Sequence, residues 1–451
     1  FFFIRYTPSW IMVRRVKSKS ALDADIVPTL GAPISTKELI ARLLKIADEL
    51  SAVDQEQAVL ENYRNVAKNL ANPKLINHKN VGVQAFAACA ISDIIRLYAP
   101  DAPFTPEELA NIFKAFFAQF SCLWDEENPY FLQQSYILKR LVEVRSVVLI
   151  SDLPESQKLV SMLFETMYTL TTKGFPPKLE HLASELLAET VSEIDYIPQD
   201  VVSLIIKRLT IPTESLLMGG SSNISNPAFV FSMAICDANA DKMARLVAQL
   251  FSEMLDESAK LTNEIDRRAP FKALEKIHES SIQIWAHVPD LLASVMGLIS
   301  DELNSDDEKV RELATRTIGK MLSSSSKSKS DNSAVTFVSY HRGTWMNWLS
   351  KSCDNSSAVR SLWTEQLPEI LSLETTTEIN MELCKGLSKC LMDSSEKVRF
   401  SACAAIEILP RFLTLKKVCN ASILTILFSL IRERHTETRN TAISVLADLY
   451  N

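Results

Sequence analysis

Residues 393–410 read "DSSEKVRFSACAAIEILP", a polar, acid-led turn followed by Val398-Arg399 and then a stripe of small and apolar residues. The same order stands in "DDEKVRELATRTIGKML" (306–322), "DNSSAVRSLWTEQLPEIL" (354–371) and "ERHTETRNTAISVLADLY" (433–450). In each, a hydrophobic residue or Thr precedes an arginine, and those arginines are Arg311, Arg360, Arg399 and Arg439. They stand 49, 39 and 40 residues apart. The shorter spacings fall close to the roughly 40–47 residues of HEAT and armadillo units. The serine-rich stretch "SSSSKSKSDNS" (323–333) lies inside the long interval and accounts for part of its excess. A degenerate, earlier member is "NHKNVGVQAFAACA" (77–90), with Val83-Gln84 in place of Val-Arg.

A helix pair of this kind buries only half its surface and must stack on its neighbours. The arginine is then expected first as a structural ladder, bridging to an Asp or a carbonyl of the adjoining turn, and only second as a partner contact. The expected fold is an all-α, HEAT-repeat (armadillo-like) α-solenoid of about ten helix-pair repeats over residues 35–451, read as one domain. Residues 1–34 read as a disordered tail, with flexible inserts near 216–227 ("LLMGGSSNISNP") and 323–333.

Composition agrees. Only 9 of 451 residues are Gly while 47% are hydrophobic, which disfavours the many tight turns of sheets and barrels. The net charge of −7 argues against direct grip on a nucleic-acid backbone, which calls for a basic surface, and favours protein partners. The eight cysteines (Cys89, Cys122, Cys236, Cys353, Cys384, Cys390, Cys403, Cys419) form no C-x-x-C pair and read mostly as buried free thiols. The six histidines are scattered, and no metalloprotease, P-loop or nucleophile-elbow motif occurs. We therefore expect no enzyme activity, cofactor or metal. No run reaches the roughly 18 apolar residues of a membrane span, so no membrane contact is expected. The opening "FFFIRYTPSWIMVRRVKSKS" has its charges after its apolar residues, the reverse of a secretory signal. Met12 reads as the native start, residues 1–11 as foreign to the native chain, and Arg14, Arg15, Lys17 and Lys19 as a solvated tail with a minority nuclear-import reading.

Two local signals frame the first repeats. "STKE" (Ser35 to Glu38) reads as a capping box, and Thr105-Pro106-Glu107-Glu108 as a second helix start with Pro at the first helical position. Between the helix in "VQAFAACAISDIIRLYA" and that start stands "PDAPF", which the prolines make a stiff, extended connector. Ile197-Pro198, Val288-Pro289, Leu367-Pro368 and Leu409-Pro410 read as simpler repeat junctions.

"DIIRLYAPDAPFTPEEL" resembles the APDAP stretch of the cohesin regulators named for precocious dissociation of sisters. The resemblance continues through "SYILKRLVEVRSVVLISDLP" (135–154), "LLAETVSEIDYIP" (186–198) and "VRSLWTEQLPEIL" (359–371), and looks closest to fungal members and to their N-terminal portion. It implies a nuclear, chromosome-associated HEAT scaffold without catalytic activity. Such a scaffold binds the kleisin subunit of cohesin and Wapl-type partners, touches chromatin only through cohesin, and serves both cohesion and its release. It further implies docking of Wapl-type motifs at Ala99, Pro100, Asp101, Ala102, Pro103 and the adjoining Phe104.

The resemblance places the kleisin surface further along, starting between Tyr340 and Tyr450. Candidates there are Trp345, Trp348, Arg360, Arg399, Arg439 and Tyr450, the residue types that dominate interface energies. The two tryptophans of "GTWMNWLSK" share a helical face, and core packing competes with exposure for them. A nuclear transport receptor or a phosphatase-type scaffold is the alternative. Against the first, W-x-x-x-N occurs once (Trp124 to Asn128) with no array; against the second, the APDAP block has no place in such scaffolds.

Overall fold

The computed structural model describes residues 34–209, 226–260, 268–324 and 333–450, and they fold into helices with no strand among them. The chain divides into two compact units at Tyr196/Ile197. In the first, the helices Thr36–Ser51, Val81–Tyr98, Phe131–Glu143 and Pro177–Glu193 stack side by side as one layer. Pro106–Phe120 and Ser156–Lys173 pack together as the other layer. The Pro106–Phe120 helix buries Leu109, Phe113, Phe116, Phe117 and Phe120, an i, i+3, i+4 stripe pressed against its neighbours. Each such side chain contributes roughly 1.5–3 kcal/mol by leaving water. Val81–Tyr98 has the length and mean hydropathy (1.3) of a membrane span, contrary to the expectation that no run would come close, but 72% of it is buried. It is a core helix, and it carries the buried Asp93.

In the second unit, the helices that begin at the Val-Arg motifs stack in series: Glu308–Ser323 on Ser357–Ser372, then Glu396–Glu407, then Thr436–Tyr450. Their partners Met296–Glu302, Arg342–Ser350, Thr377–Leu391 and Ala421–Leu430 stack likewise. This is the HEAT arrangement, two helical layers held by like-on-like packing. Trp345, Trp348 and Trp363 fill the space between layers, with ring centroids 5.6 and 5.4 Å apart. Gly386 is what lets Thr377–Leu391 lie against them, because a Cβ there would stand 2.5 Å from the Trp363 ring.

Local expectations meet mixed outcomes. Thr105 and Glu108 form the reciprocal capping box, at 3.2 and 2.9 Å. Ser35 caps Glu38 at 3.3 Å, but the Glu38 carboxylate turns to Arg42 at 2.7 Å, so that box is only half made. Pro198, Pro289 and Pro410 stand at helix boundaries as expected. Pro368 does not: it lies inside Ser357–Ser372, where burial of Leu367, Pro368, Ile370 and Leu371 outweighs one lost backbone bond. The tail 1–34 and the inserts fall almost wholly outside the described residues; at their edges Pro227 opens one helix and Ser323 closes another.

Candidate partner-binding surfaces

Three of the four motif arginines do the same two things, and Arg439 does the first of them. Nη1 donates to two carbonyls of its own turn, six and five residues back: Arg311 to Ser305 and Asp306 at 2.8 and 3.1 Å. Arg360 does so to Asp354 and Asn355 at 2.7 and 3.2 Å, and Arg399 to Asp393 and Ser394 at 2.7 and 3.1 Å. Arg439 reaches Glu433 and Arg434 at 2.8 and 3.3 Å. The other edge reaches the next repeat. Nε and Nη2 of Arg311 fork onto Asp354 at 3.1 and 3.2 Å. Arg360 forks onto Asp393 at 2.7 and 2.9 Å, and Arg399 pairs with Glu433 at 2.9 Å. Arg439 pairs with no carboxylate among the described residues. Gln84, the degenerate member, donates to His78 six residues back at 2.7 Å, so it fills the same rung.

These partners set the titration of the acids. Burial pushes the Asp393 carboxyl up, but Arg360, the Ser395 amide and Arg399 together outweigh it and hold it below the usual range. Glu433 is lowered chiefly by its bond from Arg399. Of the kleisin candidates, Trp345 and Trp348 must therefore be corrected: both are 0% exposed, stacked in the core, their indole N–H groups donating to Glu382 at 2.6 Å and to the Thr315 carbonyl at 2.9 Å. Arg360, Arg399 and Arg439 hold the ladder. Tyr450 is 90% exposed.

The proline segment closes the Val81–Tyr98 helix as a series of turns and bends rather than the extended connector expected, with a cis Ala99-Pro100 bond. Pro100 and Asp101 are exposed; Ala99, Ala102, Pro103 and Phe104 are half-buried. The preceding stretch braces it. Tyr98 Oη donates to the Leu60 carbonyl at 2.5 Å, Gln55 Nε2 to Ala99 at 3.3 Å and Arg96 to Leu50 at 2.9 Å. One turn earlier, Asp93 is fully buried and accepts from Arg96 and Tyr136 at 3.0 and 2.7 Å. Burial still raises its carboxyl above the usual range.

Sequence reading missed two lysines. Lys351 Nζ donates to the Leu303 carbonyl and Lys417 Nζ to that of Leu371, both at 2.8 Å, capping helix ends of the preceding repeat. Nothing local marks a lysine for such a task. All eight cysteines are free, and burial pushes the thiols of Cys236, Cys390 and Cys403 up to about 12, so they stay protonated. Among the described residues no three His, Cys, Asp or Glu side chains converge as a metal set.

Stacked helix pairs joined by an arginine ladder define a helical-repeat scaffold of the HEAT type. Residues 37–451 match the profile of the family described as "Sister chromatid cohesion protein PDS5 protein", and the chain belongs to that family. It is 35% identical over 440 residues to Sister chromatid cohesion protein PDS5 of Saccharomyces cerevisiae, covering 98% of this chain and 33% of that one. It is 29% identical over 436 residues to pds5 of Schizosaccharomyces pombe, covering 96% and 35%. The chain thus spans about a third of the length of these curated relatives. A chain solved in the Pds5-Scc1 complex superposes with a TM-score of 0.86 at 35% identity, over 97% of this chain and 64% of that one. Family membership replaces the transport-receptor and phosphatase-scaffold alternatives.

Proposed function

We propose that this chain is a non-enzymatic scaffold of sister-chromatid cohesion that binds the kleisin subunit of cohesin. It works in the nucleus on chromosomes, reaching chromatin through cohesin. The observation that carries the reading is its likeness, at a TM-score of 0.86, to a chain solved in the Pds5-Scc1 complex. Kleisin contact starts between Tyr340 and Tyr450, with Tyr450 and the Nη2 edge of Arg439, which meets only the Thr436 hydroxyl at 3.4 Å, as the anchors. Arg360 and Arg399 contribute through their remaining exposed edges, 13% and 16% of each side chain. Titrating a labelled kleisin fragment into the chain tests this. Wild type should bind, and Tyr450→Ala, at an exposed side chain, should weaken binding at least tenfold without lowering the melting temperature. Absence of binding by wild type refutes the reading.

The second surface is the bend from Ala99 to Phe104, which docks a Wapl-type motif and so couples the scaffold to cohesin release. Its support is the resemblance of the APDAP block and the exposure of Pro100 and Asp101. Ala102→Arg should abolish binding of a Wapl-derived peptide and leave kleisin binding intact, since distant sites without shared partners behave independently. Equal peptide binding by the variant reduces the prolines to a repeat junction.

A further inference from the structure

Between the Thr377–Leu391 helix and the turn of residues 414–420 that leads into Ala421–Leu430 lies an open cleft of about 710 Å³. Its floor is apolar and soft, made by Val418, Cys384 and the exposed Met381. Its rim carries Lys385, Lys389 and Lys416, all exposed, and no carboxylate lines it. None of the three lysines makes a salt bridge among the described residues, and Lys389 Nζ makes only a long bond to the Cys353 thiol, at 3.5 Å. The acid closest in sequence, Glu382, is taken up by Arg342 and the Trp345 indole. Lys417, the fourth lysine of the lining, is turned inward onto the Leu371 and Leu373 carbonyls. On a chain with a net charge of −7, a cleft whose lining holds four lysines and no carboxylate is an exception that packing does not require.

We propose that this cleft docks an extended, acidic segment of a partner protein. Lys385 and Lys389, one helical turn apart, hold their Cβ atoms roughly 6 Å from each other. Alternate residues of an extended chain lie about 6.5–7 Å apart on one face. Two carboxylates of such a segment therefore meet the two lysines while the intervening side chains point to Val418 on the facing wall, and Lys416 closes the opposite rim. The apolar floor favours a peptide over a free anion. No aromatic residue lines the cleft, so it lacks the stacking platform that single-stranded nucleic acid needs. The cleft lies within the stretch proposed for kleisin contact, yet its lysine rim and apolar floor call for an acidic segment whether or not kleisin supplies it.

The test is fluorescence anisotropy with a labelled peptide of about twelve residues in which Glu alternates with Leu. Wild type should bind it, should ignore the Lys/Leu counterpart, and should lose affinity as salt rises. Lys385→Glu with Lys389→Glu should weaken binding at least tenfold, whereas Lys385→Arg with Lys389→Arg should retain it; melts of both variants should match wild type. Lys68→Glu, in the other unit, should change nothing. Equal binding of the two peptides, or wild-type affinity in the Glu variant, overturns the proposal. So does displacement of the peptide by inorganic phosphate or a single-stranded oligonucleotide at matched ionic strength.

Discussion

Arg360 ties two repeats together through Asp393: Nε and Nη2 donate to its two carboxylate oxygens at 2.7 and 2.9 Å, while Nη1 grips the Asp354 carbonyl behind it. The same Asp393 carboxylate accepts from the Ser395 amide at 2.8 Å and so closes the turn that launches the next Val-Arg helix. One side chain fixes its own turn and the register of its neighbour.

Replacing Arg360 by Ala leaves Asp393 and two carbonyls short of a donor. A bond half removed costs about 1–3 kcal/mol, more than a bond never made. Lysine should not restore the loss, because a point charge cannot make the two-pronged contact. Urea melts of wild type, Arg360→Ala and Arg360→Lys measure this; equal midpoints would remove the ladder from the stability of the second unit.

The ladder also predicts how stability depends on acid. Asp393 and Glu433 titrate below their usual range when folded. Their stabilisation is therefore complete above the unfolded values, about 3.9 for Asp and 4.3 for Glu, and disappears as pH falls through the lower folded values. The gap between wild type and Arg360→Ala should hold steady from pH 7 to 5 and shrink below about pH 4. Melts at stepped pH test it, and a gap that persists undiminished at pH 2 contradicts it.

Gly386→Ala should destabilise by about 1–3 kcal/mol through overpacking. The new Cβ would meet Cη2 of Trp363 at 2.5 Å, an atom phenylalanine does not have. In a Trp363→Phe background the added cost should therefore fall, a coupling that a double-mutant cycle by denaturant melts reads directly.

Gln84→Leu should cost about 1 kcal/mol by uncapping the His78 carbonyl, if Gln84 stands in for the arginine. Hydrogen exchange at residues 78–84 should accelerate in the variant. Unchanged protection there would mean that the turn holds itself.

The repeat was legible because its period and its Val-Arg pair are local, and even Gln84 could be aligned to it. The Thr105–Glu108 box was legible for the same reason. Glu38 was misjudged because a capping residue and an i+4 arginine compete for one carboxylate, and Arg42 won. Pro368 was misjudged because the apolar residues around it hold the helix against its weakness, a tertiary effect. Trp345 and Trp348 share a face, as their spacing says, but which side of the helix meets the core depends on Glu382 and Thr315, which lie 37 and 33 residues away from them. The lysine-rimmed cleft escaped for a related reason: its walls come from two helices and a turn that only stacking brings together.

The line from Asp354 through Arg360, Asp393 and Arg399 to Glu433 runs unbroken along one border of the second unit. Directional bonds give that border a set length, whereas the apolar contacts between stacked helices have no preferred direction and allow sliding. Under tension or torsion this stretch therefore behaves as a leaf spring clamped along one edge. The clamped border acts as the pivot, and the compliance lies in the packed faces beside it.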